Sequence, residues 1–259
     1  MKIVMIGAGN LATQLGKALL HAGHDILQVY SRTMESANTL AQRIGGAAVT
    51  DVNQLVYNAD AYIFALRDSV LGEIIPKVCR GREQRVFLHT AGSIPMDAFQ
   101  GMALHYGVLY PLQTFSKERD VDFETIPCFV EANDDYARQT IGTLAESVSR
   151  NVHPLASEQR KYVHLAAVWA CNFVNHCYNI AEDILEGQHI PFSVLLPLID
   201  ETARKVHDLR PGEAQTGPAI RYDENVIRKQ AQLMRQNPLE KDLYERLSVS
   251  VHRKNQYSK

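Results

Sequence analysis

The amino-acid sequence predicts an α/β fold: a doubly wound parallel sheet over residues 1–154, followed by an all-α domain over residues 155–259. Three observations predict it. Short apolar runs alternate with amphipathic stretches through the first half, which is the βαβ rhythm of a parallel sheet. A glycine-rich turn, Gly7-Ala8-Gly9-Asn10-Leu11-Ala12, joins the first run to the first amphipathic stretch. Beyond Ser157 the strand pattern disappears and long helical stretches follow, so the boundary is expected near residues 154–157.

Lys2 to Gly7 reads as a buried strand, and Asn10 to Ala22 as a helix through Leu11, Leu15, Ala18 and Leu19. Asp25–Tyr30 is a second strand, followed by a helix over Met34–Ile44 and a short strand over Ala47–Val49. Asp51 can cap the brief helix after it, its carboxylate accepting from free backbone N–H groups. Ala61–Leu66 is apolar throughout, as a strand covered on both faces should be. Asp68 is expected to cap the next helix, and Arg85–His89 forms a fifth strand. The rhythm continues less cleanly through strands at Val108–Tyr110, Cys128–Glu131 and Asn151–His153, with a helix over Asp134–Ser147. Helices are then expected over Glu158–Glu186, Phe192–Asp208, Asp223–Arg235 and Leu239–His252, with a frayed polar tail from Arg253.

Composition narrows the function. The chain has 259 residues, 46% hydrophobic and 22% charged, with a net charge of −2. That balance gives no reason to expect nucleic acid or an anionic membrane as partner. Four cysteines without a CxxC pair read as reduced thiols in a cytoplasmic protein. Gly7, Gly9, Asn10 and Gln14 interrupt the N-terminal apolar run before it resembles a signal peptide. No segment approaches the ~18 apolar residues of a membrane span.

The glycine turn carries the first chemistry. Gly7 allows a tight exit from the strand, Gly9 lets a pyrophosphate approach the backbone, and Ala12 permits close packing of helix on sheet. The N–H groups of Asn10, Leu11 and Ala12 then open a helix whose positive end suits phosphate. Placed between a strand and a helix, this is the fingerprint of a Rossmann-type dinucleotide-binding domain, although FAD or S-adenosylmethionine can use the same fold. The end of the second strand separates the dinucleotides. NAD sites usually carry an acid there, whereas this chain has Ser31, Arg32 and Thr33. Arg32 can grip a 2′-phosphate and the two hydroxyls can donate to it, so NADP(H) is favoured; the alternative is an exposed loop arginine.

Leu66 and Arg67 follow the fourth strand and Thr90 follows the fifth, where ligands of open α/β sheets sit. His89 at that strand end is either a proton carrier or a structural hydrogen-bonder. The loop Tyr110-Pro-Leu-Gln-Thr-Phe115 can line a substrate pocket or close the domain edge. On a wheel of 3.6 residues per turn, Lys161, His164, Asn172, Asn175, Asn179 and Glu182 share an arc of about 80°, interrupted by Val168. Asparagines cost a helix interior roughly 0.5 kcal/mol each, so this stripe suits either a cleft or a polar seam. His164, Asn172, Asn175 and His89 are the candidate catalytic groups. No histidine–carboxylate cluster has metal-ligand spacing, and no metal site is expected.

These residues together resemble a bacterial family labelled NADP oxidoreductase, with a Rossmann-like domain and a helical domain of unknown function. The resemblance rests on Ile6–Ala12, Tyr30–Arg32, His89–Ser93, Tyr110–Phe115, His164–Val168 with Asn172-Phe173, and Thr216–Ala219. The family is similar to pyrroline-5-carboxylate reductase, ketopantoate reductase and the 3-hydroxyacid dehydrogenases. That kinship implies hydride transfer with a small carbonyl or imine substrate in a cleft closed by the helices, and a homodimer formed through them. The apolar Leu195, Leu196, Leu198 and Ile199 around Pro197 point the same way. One departure matters. The catalytic Lys of the hydroxyacid dehydrogenase and ketopantoate reductase relatives, with Asn four residues on, is missing, since four residues after Lys161 stands Leu165 and four before Asn172 stands Val168. An NADP(H)-binding sensor without turnover is therefore the rival reading.

Overall fold

The computed structural model describes residues 1–257, which divide into two compact units, one over Met1–Asn172 and one from Phe173 onward. The first is built on one eight-stranded sheet in the order β3-β2-β1-β4-β5-β6-β7-β8. Its strands are β1 (Lys2–Ile6), β2 (Asp25–Tyr30), β3 (Ala47–Val49), β4 (Ala61–Phe64), β5 (Val86–His89), β6 (His105–Pro111), β7 (Cys128–Ala132) and β8 (Val152–Pro154). The first six are parallel, as expected. β7 departs from the all-parallel expectation: it pairs antiparallel with β6, and β8 follows it in parallel.

Helices cover both faces. On one side α1 (Asn10–His21), α2 (Met34–Ile44) and α4 (Asp135–Val148) close a core of Ile3, Met5, Leu15, Leu40, Leu88 and Leu144. On the other, α3 (Asp68–Cys79) covers Val4, Ile6, Phe64, Phe87 and Ile75. Phe64, Phe87 and Phe99 pack into one aromatic group there through tilted and edge-on contacts, each with no exposed surface. β4 and β5 are buried along their whole length, which is why their sequences run apolar without alternation.

The caps follow local chemistry. Asp51 accepts from the Asn53 N–H, Thr33 caps α2 through the Ser36 N–H, and Asp134 caps α4 through the Ala137 N–H. Asp68 does not cap α3. Arg67 holds the cap position, and the Asp68 carboxylate instead accepts from the Ser93 hydroxyl.

The first unit runs past the change of pattern at residues 154–157, because α5 (Ser157–Ala167) packs on the sheet. The helix then passes through a π-helical segment, Val168–Phe173, into α6 (Val174–Glu186). The second unit continues with α7 (Leu196–Asp208), the short α8 (Pro211–Ala214) and α9 (Pro218–Arg221), α10 (Glu224–Leu233) and α11 (Pro238–Tyr257). Asp223 caps α10, accepting from the Val226 N–H. The Phe192–Asp208 stretch splits, with a 3₁₀ turn over Phe192–Leu195 before α7. The expected tail is helical as far as Tyr257; its last residues, 258 and 259, lie outside the described residues. None of the described helices is long and apolar enough to cross a membrane.

Candidate active site

The turn after β1 contains one closed glycine and one open one. Gly7 has φ 121°, and a Cβ there would stand 2.3 Å from the Ala65 carbonyl oxygen, so only glycine passes. Gly9 is exposed, with nothing within 4 Å of where its Cβ would be. It is also the N-cap of α1, and no side chain caps that end. The first backbone bond of α1 runs from Thr13 N to Gly9 O, which leaves the N–H groups of Asn10, Leu11 and Ala12 ahead of it without helical acceptors. Ala12 is fully buried against the sheet. Open space, free N–H groups and a helix dipole together fit the pyrophosphate of a dinucleotide.

At the end of β2, Ser31 is half-buried and Arg32 and Thr33 are exposed. The Thr33 hydroxyl donates to Ser36 Oγ at 2.9 Å, so its first duty is to α2. Arg32 contributes to holding the Glu73 carboxyl below its usual range, after the stronger effect of the Lys77 hydrogen bond. After β4, Leu66 is half-buried beside Gly7 and Arg67 is exposed. Thr90 is buried, with both its N–H and its hydroxyl on the Phe64 carbonyl, at 3.1 and 3.3 Å.

His89 has a structural place. It is fully buried, its Nδ1 accepts from the Ala91 N–H at 3.1 Å, and its Nε2 lies 3.2 Å from the Pro95 carbonyl. The acceptor role of Nδ1 puts the ring proton on Nε2, so both nitrogens are committed to backbone. Burial, helped by the Arg160 charge and opposed by the Pro95 bond, holds its pKa down to about 4. A proton carrier needs a free nitrogen, and this ring has none.

His164 is different. It lies on α5, half-buried, with Nδ1 2.9 Å from the Tyr110 hydroxyl of β6. Its imidazole lies directly on the loop after β5: a Cβ at Gly92 would be 2.5 Å from Nδ1 and 2.6 Å from Cγ. His164 Nε2 has no hydrogen-bond partner among the described residues. Tyr110 is 7% exposed, and burial pushes its pKa up to about 12, with Arg160 opposing and Asp68 adding to the rise.

A buried ion pair sets α5 in this position. Arg160, 1% exposed, binds Glu131 Oε2 of β7 at 2.5 Å and the Ile94 carbonyl at 2.6 Å. Glu131 also accepts from the Ser157 N–H and hydroxyl, at 2.8 and 2.6 Å. Burial raises the Glu131 pKa, but these hydrogen bonds outweigh it and hold the carboxyl below its usual range. The sequence held a signal for this pair, an acid inside an apolar strand run, Cys128-Phe-Val-Glu131.

The polar stripe does not survive as drawn. The π segment Val168–Phe173 adds a residue to the turn, so angles counted at 3.6 residues per turn lose phase after Ala167. Asn172 and Asn175 are exposed, the first closing the first unit and the second belonging to the second. Asn179 is bound locally, donating to Asp183 Oδ2 at 3.3 Å, and Lys161 pairs with Glu158 one turn back. Of the four candidate catalytic residues, His164 and His89 are held at the β5 loop.

Fold and site together define a Rossmann-class dinucleotide-binding protein with an imidazole–phenol pair at the carboxyl edge of its sheet. Residues 2–89 match the family model "NADP oxidoreductase coenzyme F420-dependent", and residues 126–251 match a "domain of unknown function". The chain is 51% identical to the crystal structure of "putative NADP oxidoreductase BF3122" from Bacteroides fragilis, covering 97% of this chain and 98% of that one, with a TM-score of 0.94. The chain belongs to this family of NADP oxidoreductases, whose cofactor is NADP(H). An imine reductase from Myxococcus stipitatus in complex with NADP+ shares the fold at 13% identity, with a TM-score of 0.69 over 100% of this chain and 95% of that one. Glutamyl-tRNA reductase of Methanococcoides burtonii is 33% identical over 91 residues, a match that takes in 33% of this chain and 22% of that enzyme.

Proposed function

We propose that the protein is an NADP(H)-dependent reductase of a small carbonyl or imine compound, with His164 exchanging the proton at the substrate. One observation carries this reading: the His164 imidazole lies on Gly92, at the same sheet edge where Gly9 and α1 leave an open anion site. When bound, the reduced nicotinamide supplies a hydride. The chain supplies the rest. Gly7 and Gly9 shape the turn, the N–H groups of Asn10, Leu11 and Ala12 take the pyrophosphate, and Arg32 with Ser31 and Thr33 takes the 2′-phosphate. Leu66, Arg67 and Thr90 border the dinucleotide by packing, since the Thr90 hydroxyl is already engaged.

Arg32→Ala should weaken NADPH binding by about 1.5–3 kcal/mol, or roughly 10- to 100-fold, with little effect on NADH. Calorimetric titration of wild type and variant with both nucleotides checks this. A wild type that prefers NADH would sink the assignment. Turnover is tested by following NADPH absorbance over a panel of small carbonyl and imine compounds, with His164→Ala as control.

A second reading, NADP(H) binding without turnover, is favoured by the missing Lys/Asn pair. The Lys161 ammonium is paired with Glu158 and exposed, so it does not stand in for the relatives' lysine. A panel that yields no oxidation of tightly bound NADPH would decide for it.

A further inference from the structure

We propose that Tyr110 is a positioning residue that donates its phenolic O–H to Nδ1 of His164 and so holds the neutral imidazole in its Nε2–H form. The inference rests on the reading of His164 as the group that meets the substrate. It specifies how that group is presented: as a hydrogen-bond donor toward an acceptor atom, a carbonyl oxygen or an imine nitrogen.

The geometry leaves two arrangements for the 2.9 Å contact, phenol donating to imidazole or imidazole donating to phenol. The phenol has a single proton. Among the described residues, His164 Nδ1 is the only hydrogen-bond partner of the Tyr110 hydroxyl, and the side chain is almost wholly buried. If Nδ1–H donated, the phenol proton would be stranded inside the protein without an acceptor. If the phenol donates, only oxygen lone pairs go unused, which is the cheaper loss. Burial keeps the Tyr110 proton in place to about pH 12, with Arg160 of α5 opposing and Asp68 of α3 adding to the effect. Gly92 completes the arrangement from the β5 loop, because any side chain there would occupy the space of the ring.

The same pair can pass a proton. The Nε2–H bond breaks as the proton goes to a basic oxygen developing on the substrate, while Nδ1 takes the Tyr110 proton. The imidazole stays neutral throughout with its tautomer exchanged; once the product departs, Nδ1 returns its proton to the phenolate and Nε2 takes one from water, which restores the starting pair. Nothing is oxidised or reduced in this transfer. An oxygen anion formed from a carbonyl is a stronger base than a phenolate, so the transfer runs downhill.

The test needs no substrate. In the full chain labelled with ¹⁵N-histidine, long-range ¹H–¹⁵N spectra report which ring nitrogen carries the proton, and His164→Gln assigns the signal. Wild type at a pH that keeps the ring neutral should favour Nε2–H by about tenfold beyond the ratio in Tyr110→Phe, the worth of one hydrogen bond. Gly92→Ala, which keeps the phenol and displaces the ring, should lower the ratio similarly and serves if Tyr110→Phe does not fold. A wild-type proton on Nδ1, or an unchanged ratio in Tyr110→Phe or Gly92→Ala, overturns the proposal. NADPH turnover of His164→Ala bears on the catalytic reading alone, so the two can fail separately.

Discussion

Two histidines of one site show how far residue type can be separated from residue role. Both stand at the carboxyl edge of the sheet, yet His89 has both nitrogens on backbone and His164 keeps Nε2 free of protein partners among the described residues. The buried ring has a measurable consequence. His89 is held neutral to about pH 4, whereas the unfolded chain protonates near 6.5. The depressed value means that the unfolded state binds the proton first, so stability is full above about pH 6.5 and falls as pH drops toward 4. His89 should contribute roughly 3 kcal/mol of that loss. Urea unfolding of wild type and His89→Asn, which keeps an acceptor without the titration, should give stability–pH curves that separate by about that amount between pH 6.5 and 4. Parallel curves would refute the account. A sequence can nominate a histidine at a strand end; it cannot show which ring nitrogens the loop will occupy, because the Pro95 carbonyl comes back to His89 only after folding.

At the scale of the element, the strands, the first helices and the glycine turn were all legible. Their signals are local: an apolar run, a cap, a glycine at positive φ. What was hidden depends on contacts between distant segments. Nothing in the spacing of Val168–Phe173 announces a π turn, so a stripe drawn on a regular wheel was bound to slip there. The reversal of β7 was hidden for a similar reason, since strand direction is set by connection and packing rather than by composition. The α5 anchor gives this scale its prediction. Removing the buried cation, by Arg160→Met, should loosen α5 and cost less than the about 3–5 kcal/mol of a fully buried pair, because the Glu131 side chain is 14% exposed and keeps its bonds from Ser157. The double variant Arg160→Met/Glu131→Leu should recover part of that loss. Chemical denaturation of the three proteins measures it, and equal stability of the single and double variants would argue against the pair.

For the whole molecule, the two units differ in how they hold themselves together. The first has two continuous cores flanking its sheet. Among the described residues of the second, only Ala231 and Ser248 are buried, while Leu198, Leu233 and Leu239 are 63%, 85% and 73% exposed. A helical unit with so little interior gains almost nothing from folding alone. We predict that a second copy covers these faces and that the protein is a homodimer. Sedimentation should give twice the chain mass at micromolar concentration, the unfolding temperature should rise with protein concentration, and Leu198→Asp should shift both toward the monomer. A wild-type monomer at that concentration would remove the prediction. The helices themselves could be read from the sequence, but their exposure could not, since an amphipathic face looks the same whether it meets its own chain or another.

The direction of β7 has a topological meaning. In an ordinary βαβ unit, the helix that leaves a strand runs back toward the amino edge, away from any ligand. β7 and β8 run opposite to the first six strands, so the helix that leaves β8 travels the other way. The first turn of α5 touches Glu131, which pairs with Val108, and His164 farther along reaches Tyr110, two residues onward in β6. One inversion of strand polarity thus changes the parity of the winding, and the helix departing the sheet arrives at the ligand edge instead of receding from it. The chain needs no long connection to bring an imidazole there: a tight corner at Leu155-Ala156 and two turns of helix suffice.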